Sequence, residues 1–182
     1  MSPMQQIQNL FAPLLRQFPW NVRCGHGSFL TLEFGQPHII VREPITASPG
    51  GSERVRRNLA RRGISIAGDW HLFVQYCDWK ISVADCSVDS QSSGISSNEC
   101  LLDLEGQRLV SVIGGSLPNS CKFQFDLSGG LELWPSSEYE PTDDMWTLYR
   151  WNDDIGGLRV VGSLRGDGTL DVEDTGIESI KP

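Results

Sequence analysis

The apolar residues at the start of the chain recur at intervals of three and four positions, which is the spacing of one face of an α-helix. They are Ile7, Leu10, Phe11, Leu14, Leu15 and Phe18. Ser2 and Pro3 suit the beginning of such a helix, and Pro19 suits its end. The polar face carries one charge, Arg16, which is too little for a helix lying on a membrane. The pattern predicts a helix whose apolar face packs on the rest of the protein.

Farther along, short runs of β-branched and aromatic residues alternate with turn residues, which is typical of strands. We predict one hairpin over residues 29–41, with its turn at 35–37, and a second over residues 121–134. A loop and a strand containing tryptophan follow each hairpin, at residues 69–74 and 145–150. The same order of elements therefore occurs twice.

This recurrence predicts an internal pseudo-repeat, in which residues 20–86 and 101–172 form two similar antiparallel β units. A chance resemblance between two amphipathic hairpins is the alternative. Residues 87–100 are rich in serine and are expected to form an exposed loop between the units. The predicted fold is α+β and mostly β, in one compact domain over residues 1–182, with an N-terminal helix and a short basic helix.

The basic helix is the most distinctive local segment. It is predicted over residues 52–63, where Ser52 suits the N-cap and Gly63 the C-terminal end, and it contains Arg54, Arg56, Arg57, Arg61 and Arg62. Such a cluster can contact phosphate, nucleic acid or an acidic protein. A solvated helix whose arginines pair with the protein's own carboxylates is the interpretation we favour, because exposed runs of charge usually serve no ligand.

Composition is that of a globular protein, with 182 residues, 39% hydrophobic residues and a net charge of −8. That charge is unevenly distributed, since residues 1–62 carry +5 and residues 63–182 carry −13. An acidic protein is repelled by nucleic acid and by anionic membranes, so neither is expected as a partner. A nucleic-acid contact confined to the arginine helix stays open, and it predicts salt-sensitive binding. The acidic second half is the expected place for a protein partner or for self-association as a homodimer.

Five cysteines without CxxC spacing indicate free thiols rather than a disulfide framework. The N-terminus lacks the basic and apolar regions of a secretory signal, and no run approaches the roughly 20 apolar residues that span a bilayer. We therefore expect a cytoplasmic protein. Two groups, Cys24 with His26 and His71 with Cys77, fit no zinc spacing, so no metal or other cofactor is predicted.

No catalytic motif stands out, and an enzyme is not favoured. Asp143 and Asp144 lie in a turn-like segment where aspartate often binds the backbone. His71 lies on a predicted strand and is expected to be an ordinary sheet residue. The alternative function is a small enzyme or ligand-binding protein with a pocket between the two β units, in which His71, Cys77 and carboxylates would converge.

Six tryptophans are many for this length, and Trp and Tyr are enriched in protein contacts. Trp134 and Tyr139, with neighbouring prolines, are candidates for a groove or interface. The candidate ligand- or partner-binding residues are therefore Trp134, Tyr139, Trp146, Asp143, Asp144, Arg54, Arg56, Arg57 and His71.

Two stretches resemble the signatures of a known group of sequences. Residues 68–79, GDWHLFVQYCDW, resemble the pattern G-[ED]-W-H-L-[WF]-[IV]-x-x-C-x-W. Residues 123–133, FQFDLSGGLEL, followed by WTLY at 146–149, resemble F-x-F-D-L-G-G-x-L…W-x-L-Y. Both patterns are similar to those of small uncharacterised bacterial proteins, some of them similar to immunity proteins of toxin systems. The resemblance implies a bacterial cytoplasmic protein and assigns no catalytic residue.

Together these observations predict a non-enzymatic protein-binding module. An immunity-like inhibitor of a basic bacterial toxin fits the acidic charge, because opposite charges accelerate and orient association.

Overall fold

Antiparallel β-sheet dominates the computed structural model, which describes residues 1–25, 29–92 and 95–173. The predicted α+β, mostly β class is confirmed. The α-helices are α1 (Pro3–Phe11), α2 (Glu53–Leu59) and α3 (Ile95–Leu104), and a 3-10 turn, Ala12–Leu14, follows α1. The strands are β1 (Trp20–Cys24), β2 (Leu30–Phe34), β3 (His38–Arg42), β4 (Gly63–Ala67), β5 (Trp70–Val74), β6 (Cys77–Val83), β7 (Cys86–Asp89), β8 (Leu109–Gly114), β9 (Cys121–Phe125), β10 (Gly130–Pro135), β11 (Asp144–Asn152), β12 (Gly157–Arg165) and β13 (Leu170–Val172).

The strands form two large sheets and one separate hairpin. The six-stranded sheet has the order β1-β2-β5-β11-β12-β13, and the five-stranded sheet has the order β7-β6-β10-β9-β8. Strands β3 and β4 pair with each other and with no other strand that the structure describes. Each large sheet therefore takes strands from both predicted units, and the seams between the units are the β5–β11 and β6–β10 ladders. The pseudo-repeat itself stays a prediction.

One hydrophobic core lies under both large sheets. Alternate residues of β5 and of β6 are buried in it, as the period of two along a strand requires. Helix α1 packs on this core, and the Ser2 hydroxyl caps it by accepting a hydrogen bond from the Gln5 N–H. The helix ends at Phe11 rather than before Pro19, because Pro13 has no N–H to continue the helical pattern. The predicted face residues Leu15 and Phe18 are exposed. The Phe11 ring lies 5.0 Å from Phe123 of β9 and 5.2 Å from Trp146 of β11, measured between ring centroids, so α1 joins the two sheets.

Two further local predictions are wrong. The first hairpin does not form, because β2 pairs with β1 and β5 on its two edges and leaves no edge for β3. The second hairpin, β9 with β10, is confirmed. The serine-rich segment 87–100 is not a plain loop, since it contains most of β7 and the first half of α3, where Cys100 is buried. Residues 93–94 and 174–182, the latter expected to be loose, lie outside the described residues.

No helix in the described ranges is long and apolar enough to cross a membrane.

Candidate functional site

The hairpin β3–β4 and helix α2 form a projecting element, residues 38–67, which we call the arm. Its strands pair so that Ile39 lies opposite Ile66 and Val41 lies opposite Ile64. Residues directly opposite each other share a face of the hairpin, and i, i+2 residues of one strand also share it. All four aliphatic side chains therefore lie on one face of the arm.

This aliphatic face is exposed to solvent. The exposed fractions are 69% for Ile39, 50% for Val41, 72% for Ile64 and 53% for Ile66. A contiguous apolar patch of this kind is uncommon on a protein without partners and marks interaction sites. The sequence pattern predicted a strand at residues 38–41, and the structure shows that these four aliphatic residues belong to no core.

Helix α2 is held on the arm by its ends and presents its side chains to solvent. The Ser52 hydroxyl accepts a hydrogen bond from the Val55 N–H, which caps the first turn as predicted. At the other end, the Arg42 guanidinium donates to the carbonyls of Asn58 and Arg61 at 2.8 and 3.2 Å. No residue of α2 is buried, so the candidate residues Arg54, Arg56 and Arg57 are all on the surface.

The arm is basic, whereas the rest of the chain is acidic. Residues 38–67 contain six arginines and two glutamates, for a net charge of +4, which leaves −12 on the remainder. Two ion pairs lie within the arm, Arg57 with Glu53 at 3.5 Å and Arg62 with Glu43 at 2.9 Å. The other three arginines of the cluster, Arg54, Arg56 and Arg61, make no ion pair with any described residue. Among the described residues, the protein's own carboxylates therefore pair with two of the five arginines and not with these three.

A network of polar contacts fixes the N-terminal end of the arm, at His38, to the six-stranded sheet. The Asp69 carboxylate accepts a hydrogen bond from the Gln36 N–H at 2.7 Å, and its other oxygen lies 2.7 Å from His38 Nε2. The His38 ring also stacks on Trp151, with centroids 4.2 Å apart and planes 6° apart. Next to these contacts, the Trp20 indole donates to the Gly35 carbonyl at 3.0 Å.

A second carboxylate fixes the other end of the arm. Glu33 is 4% exposed and accepts hydrogen bonds from the Gly68 N–H at 2.8 Å and from His71 Nδ1 at 2.7 Å. A buried carboxylate needs such partners, because leaving it unpaired in the interior is costly. The candidate residue His71 thus has a structural role here. We call the contacts of Asp69 and Glu33 the clamp.

Glycine is required at two positions of the clamp. A side chain at Gly68 would collide with the backbone of Phe34, whose nitrogen would lie 2.9 Å from the new Cβ. Gly35 has a φ of +78°, which favours glycine, and a Cβ there would collide with the Asp69 carboxylate. These contacts give a structural reason for the Gly68-Asp69-Trp70-His71 motif.

The Asp69 contacts of the clamp are expected to depend on pH. Burial alone would raise the pKa of Asp69, but the hydrogen bonds from Gln36 and His38 and the positive charge of Arg150 outweigh it and lower the pKa. A lowered pKa contributes stability that is present above the ordinary aspartate pKa of about 3.9 and is lost as the pH falls through the folded value. We therefore expect the Gln36 amide proton shift to titrate with a midpoint below about pH 3.9. The Asp69→Asn variant should lack this step, and a wild-type midpoint above that pH would contradict the assignment.

The candidates outside the arm do not form one site. Trp134 is half-buried in β10 beside a shallow cavity of about 460 Å³ that Ser136, Ser137 and Glu138 also line. Tyr139 instead lies with its ring 5.5 Å from that of Tyr76.

Of the acidic pair, Asp143 lies in a turn and Asp144 begins β11. The Asp143 carboxylate accepts a hydrogen bond from the Glu140 N–H, and Asp144 lies 3.8 Å from Arg165. Trp146 is a correction to the candidate set, because it is wholly buried in the core and has no surface to offer a partner.

The convergence that would support an enzyme is not found. His71 faces Glu33 on the outer side of the six-stranded sheet, whereas Cys77 is wholly buried and its thiol donates to the Met145 carbonyl at 3.4 Å. Burial raises the pKa of Cys77 far above its ordinary value, which leaves the thiol protonated and unreactive. All five cysteines are free. His26 lies outside the described residues, and no group of three metal-ligating side chains occurs within them.

In comparisons with protein-family models, with curated proteins and with solved structures, no match to this chain was found.

Proposed function

We propose that this protein is a non-enzymatic protein-binding module and that the arm is its contact surface. The observation that carries the proposal is the aliphatic face, on which Ile39, Val41, Ile64 and Ile66 are each at least half exposed. Covering such side chains in a contact contributes roughly 25 cal/mol for each Å² of apolar surface removed from water. Covering the aliphatic face therefore lowers the free energy of a complex between the arm and its partner.

The clamp supports this role. The polar contacts of Asp69 and Glu33 hold both ends of the arm on the sheet. A contact surface that is held in place before binding loses less conformational entropy on association, which favours affinity.

The charge of the arm indicates the chemistry of the partner. Arg54, Arg56 and Arg61 lie on the exposed arm without a described ion pair. The partner we propose has an apolar patch bordered by acidic residues, because complementary charge accelerates association and disfavours wrong partners. The −12 charge of the remainder would repel this partner from the other surfaces and orient it toward the arm.

A second candidate is the immunity-like inhibitor of a basic toxin. The observation that favours it is the −12 charge outside the arm, which suits a basic partner. In this case the contact would lie on the acidic remainder, and substitutions in the arm would leave affinity unchanged.

A crosslinking experiment can test the proposal in the cells that naturally express the protein. A photo-crosslinking amino acid is placed at Ile39 on the arm and, as a control, at Leu127, which is 69% exposed in the β9–β10 turn. We expect a protein adduct from position 39 and none from position 127. The adduct is identified by mass spectrometry, and the partner is then purified for binding measurements.

Substitution of the aliphatic face is expected to abolish this binding. The double variant Ile64→Asp plus Ile66→Asp should weaken the Kd for the purified partner about 100-fold or more, because it places two charges in an apolar contact. The double variant Leu127→Asp plus Ile155→Asp is the matched control, because both residues are exposed outside the arm and the charge change is the same. Its Kd should stay within about twofold. Equal effects of the two variants would contradict the arm as contact surface. A basic partner whose Kd changes in neither variant would favour the immunity-like candidate. A nucleic-acid function would be favoured if the protein bound DNA in a salt-sensitive way and the Arg56→Glu plus Arg57→Glu variant did not.

A further inference from the structure

A groove of about 1000 Å³ separates the arm from the body of the protein. Residues 64–66 of β4 form one wall. Residues 20–24 of β1, with Leu101 and Leu102 of α3 and Glu105 just after it, form the others. Consecutive side chains of a strand point to opposite faces, yet Ile64, Ser65 and Ile66 all line the groove. It is therefore the edge of β4, rather than one of its faces, that borders the groove.

Within the described ranges, no strand pairs with this edge of β4. The strand pairs there with β3 alone, through a regular register of five residue pairs. Its sequence, Gly-Ile-Ser-Ile-Ala, contains no charge and no proline. Proteins usually protect a free edge with a charge, a proline or a bulge, because its N–H and C=O groups can pair with another chain. None of these devices occurs within β4.

The opposite wall of the groove shows such protection. Strand β1 has a bulge between Trp20 and Arg23, and its Val22 N–H donates to the Glu105 carboxylate at 2.7 Å. An added strand would thus meet an occupied edge at β1 and a free one at β4.

We propose that the partner adds an extended segment to the edge of β4, within this groove, and that the segment alternates aliphatic and acidic residues. This inference rests on the proposed function and specifies its binding mode. Strand addition obtains affinity from backbone hydrogen bonds and specificity from alternate side chains. The aliphatic side chains would contact Ile64, Ile66 and Leu102, of which Leu102 is 61% exposed.

Charge complementarity selects acidic residues for the other positions. Arg23 is exposed at the groove and makes no ion pair with a described residue, and the arm carries +4. Pairing of β4 with the β4 of a second copy is disfavoured, because it would bring two arms of charge +4 together. The length of β4 limits the paired core of the segment to five residues.

The test uses random peptides of twelve residues displayed on phage and selected on the full protein, with counter-selection on the Ile64→Asp plus Ile66→Asp variant. The selected peptides are expected to alternate aliphatic and acidic residues.

The decisive step compares two N-methylated forms of a selected peptide. One form is methylated at the odd-numbered backbone nitrogens and the other at the even-numbered ones. In a paired strand, one set of N–H groups points toward β4 and the other points away. One methylated set should therefore lose affinity at least about tenfold, and the other should stay within about threefold.

These outcomes separate the binding mode from the function. Strand addition would be overturned if the two methylated sets reduced affinity equally, or if the selected peptides did not alternate aliphatic and acidic residues. The proposed function would still be decided by the crosslinking result at position 39. Failure to select any peptide that depends on Ile64 and Ile66 would also overturn strand addition. Peptides that bring two copies of the protein together, measured by analytical ultracentrifugation, would indicate self-pairing and overturn it as well.

Discussion

The Gly68→Ala variant is expected to lose about 3 kcal/mol of unfolding free energy and to release the second end of the arm. The new methyl group would collide with the Phe34 carbonyl, and it would lie 2.9 Å from the Phe34 nitrogen and 3.0 Å from the Trp70 carbonyl oxygen. These are backbone atoms of two paired strands, β2 and β5, so neither can move aside without disturbing the sheet. Because the Gly68 N–H donates to the buried Glu33 carboxylate, the displacement would also break the clamp.

The matched control for this variant is Gly50→Ala in the loop before α2. A Cβ at Gly50 meets no atom within 4 Å, so the substitution should change stability by less than about 1 kcal/mol. Urea denaturation measures both values, and an amide exchange experiment on β4 measures the release of the arm. If the two variants were equally stable, the steric account of Gly68 would be wrong.

The second large effect is expected at Trp146. The Trp146→Ala variant should lose about 3–5 kcal/mol, because it removes a large side chain from the centre of the core. Trp146 is 0% exposed and contacts Phe11, the residue through which α1 reaches both sheets. The helix should consequently detach in this variant and expose apolar surface to a dye such as ANS.

Trp134→Ala provides the comparison for Trp146→Ala. Trp134 is only half-buried at the end of β10, so its truncation should cost about 1 kcal/mol or less. Equal losses of unfolding free energy for the two variants would contradict the assignment of Trp146 to the core and of Trp134 to the surface.

Local patterns predicted the elements that depend on neighbouring residues. Helix α1, helix α2 and the β9–β10 hairpin were all predictable, because spacing, caps and turn residues are local signals. The pairing of β2 was not predictable, because β1 and β5 compete with β3 for its edges, and the outcome depends on the whole sheet. The exposure of Ile64 and Ile66 was not predictable for the same reason, since a sequence pattern does not show which strands join a large sheet.

The candidate site was predicted only in part. The arginines of α2 were recognised as a basic cluster, because they are close together in the sequence. The clamp was missed, because its pairs join residues 31 and 38 positions apart, His38 with Asp69 and Glu33 with His71. The signal that pointed to it was the Gly68-Asp69-Trp70-His71 motif, in which Gly68 and Asp69 join β4 to β5 and His71 lies on the less buried face of β5. Recognising its purpose required the positions of Glu33 and His38.

A protein partner is expected to bind on the arm, residues 38–67. Amide hydrogen exchange of the whole chain, recorded with and without the crosslinked and purified partner, tests this most directly. We expect slower exchange in β3 and β4 on binding and no change in β9 and β10, which lie in the five-stranded sheet. Protection confined to β9, β10 or the acidic turn around Asp143, with the arm unchanged, would contradict it.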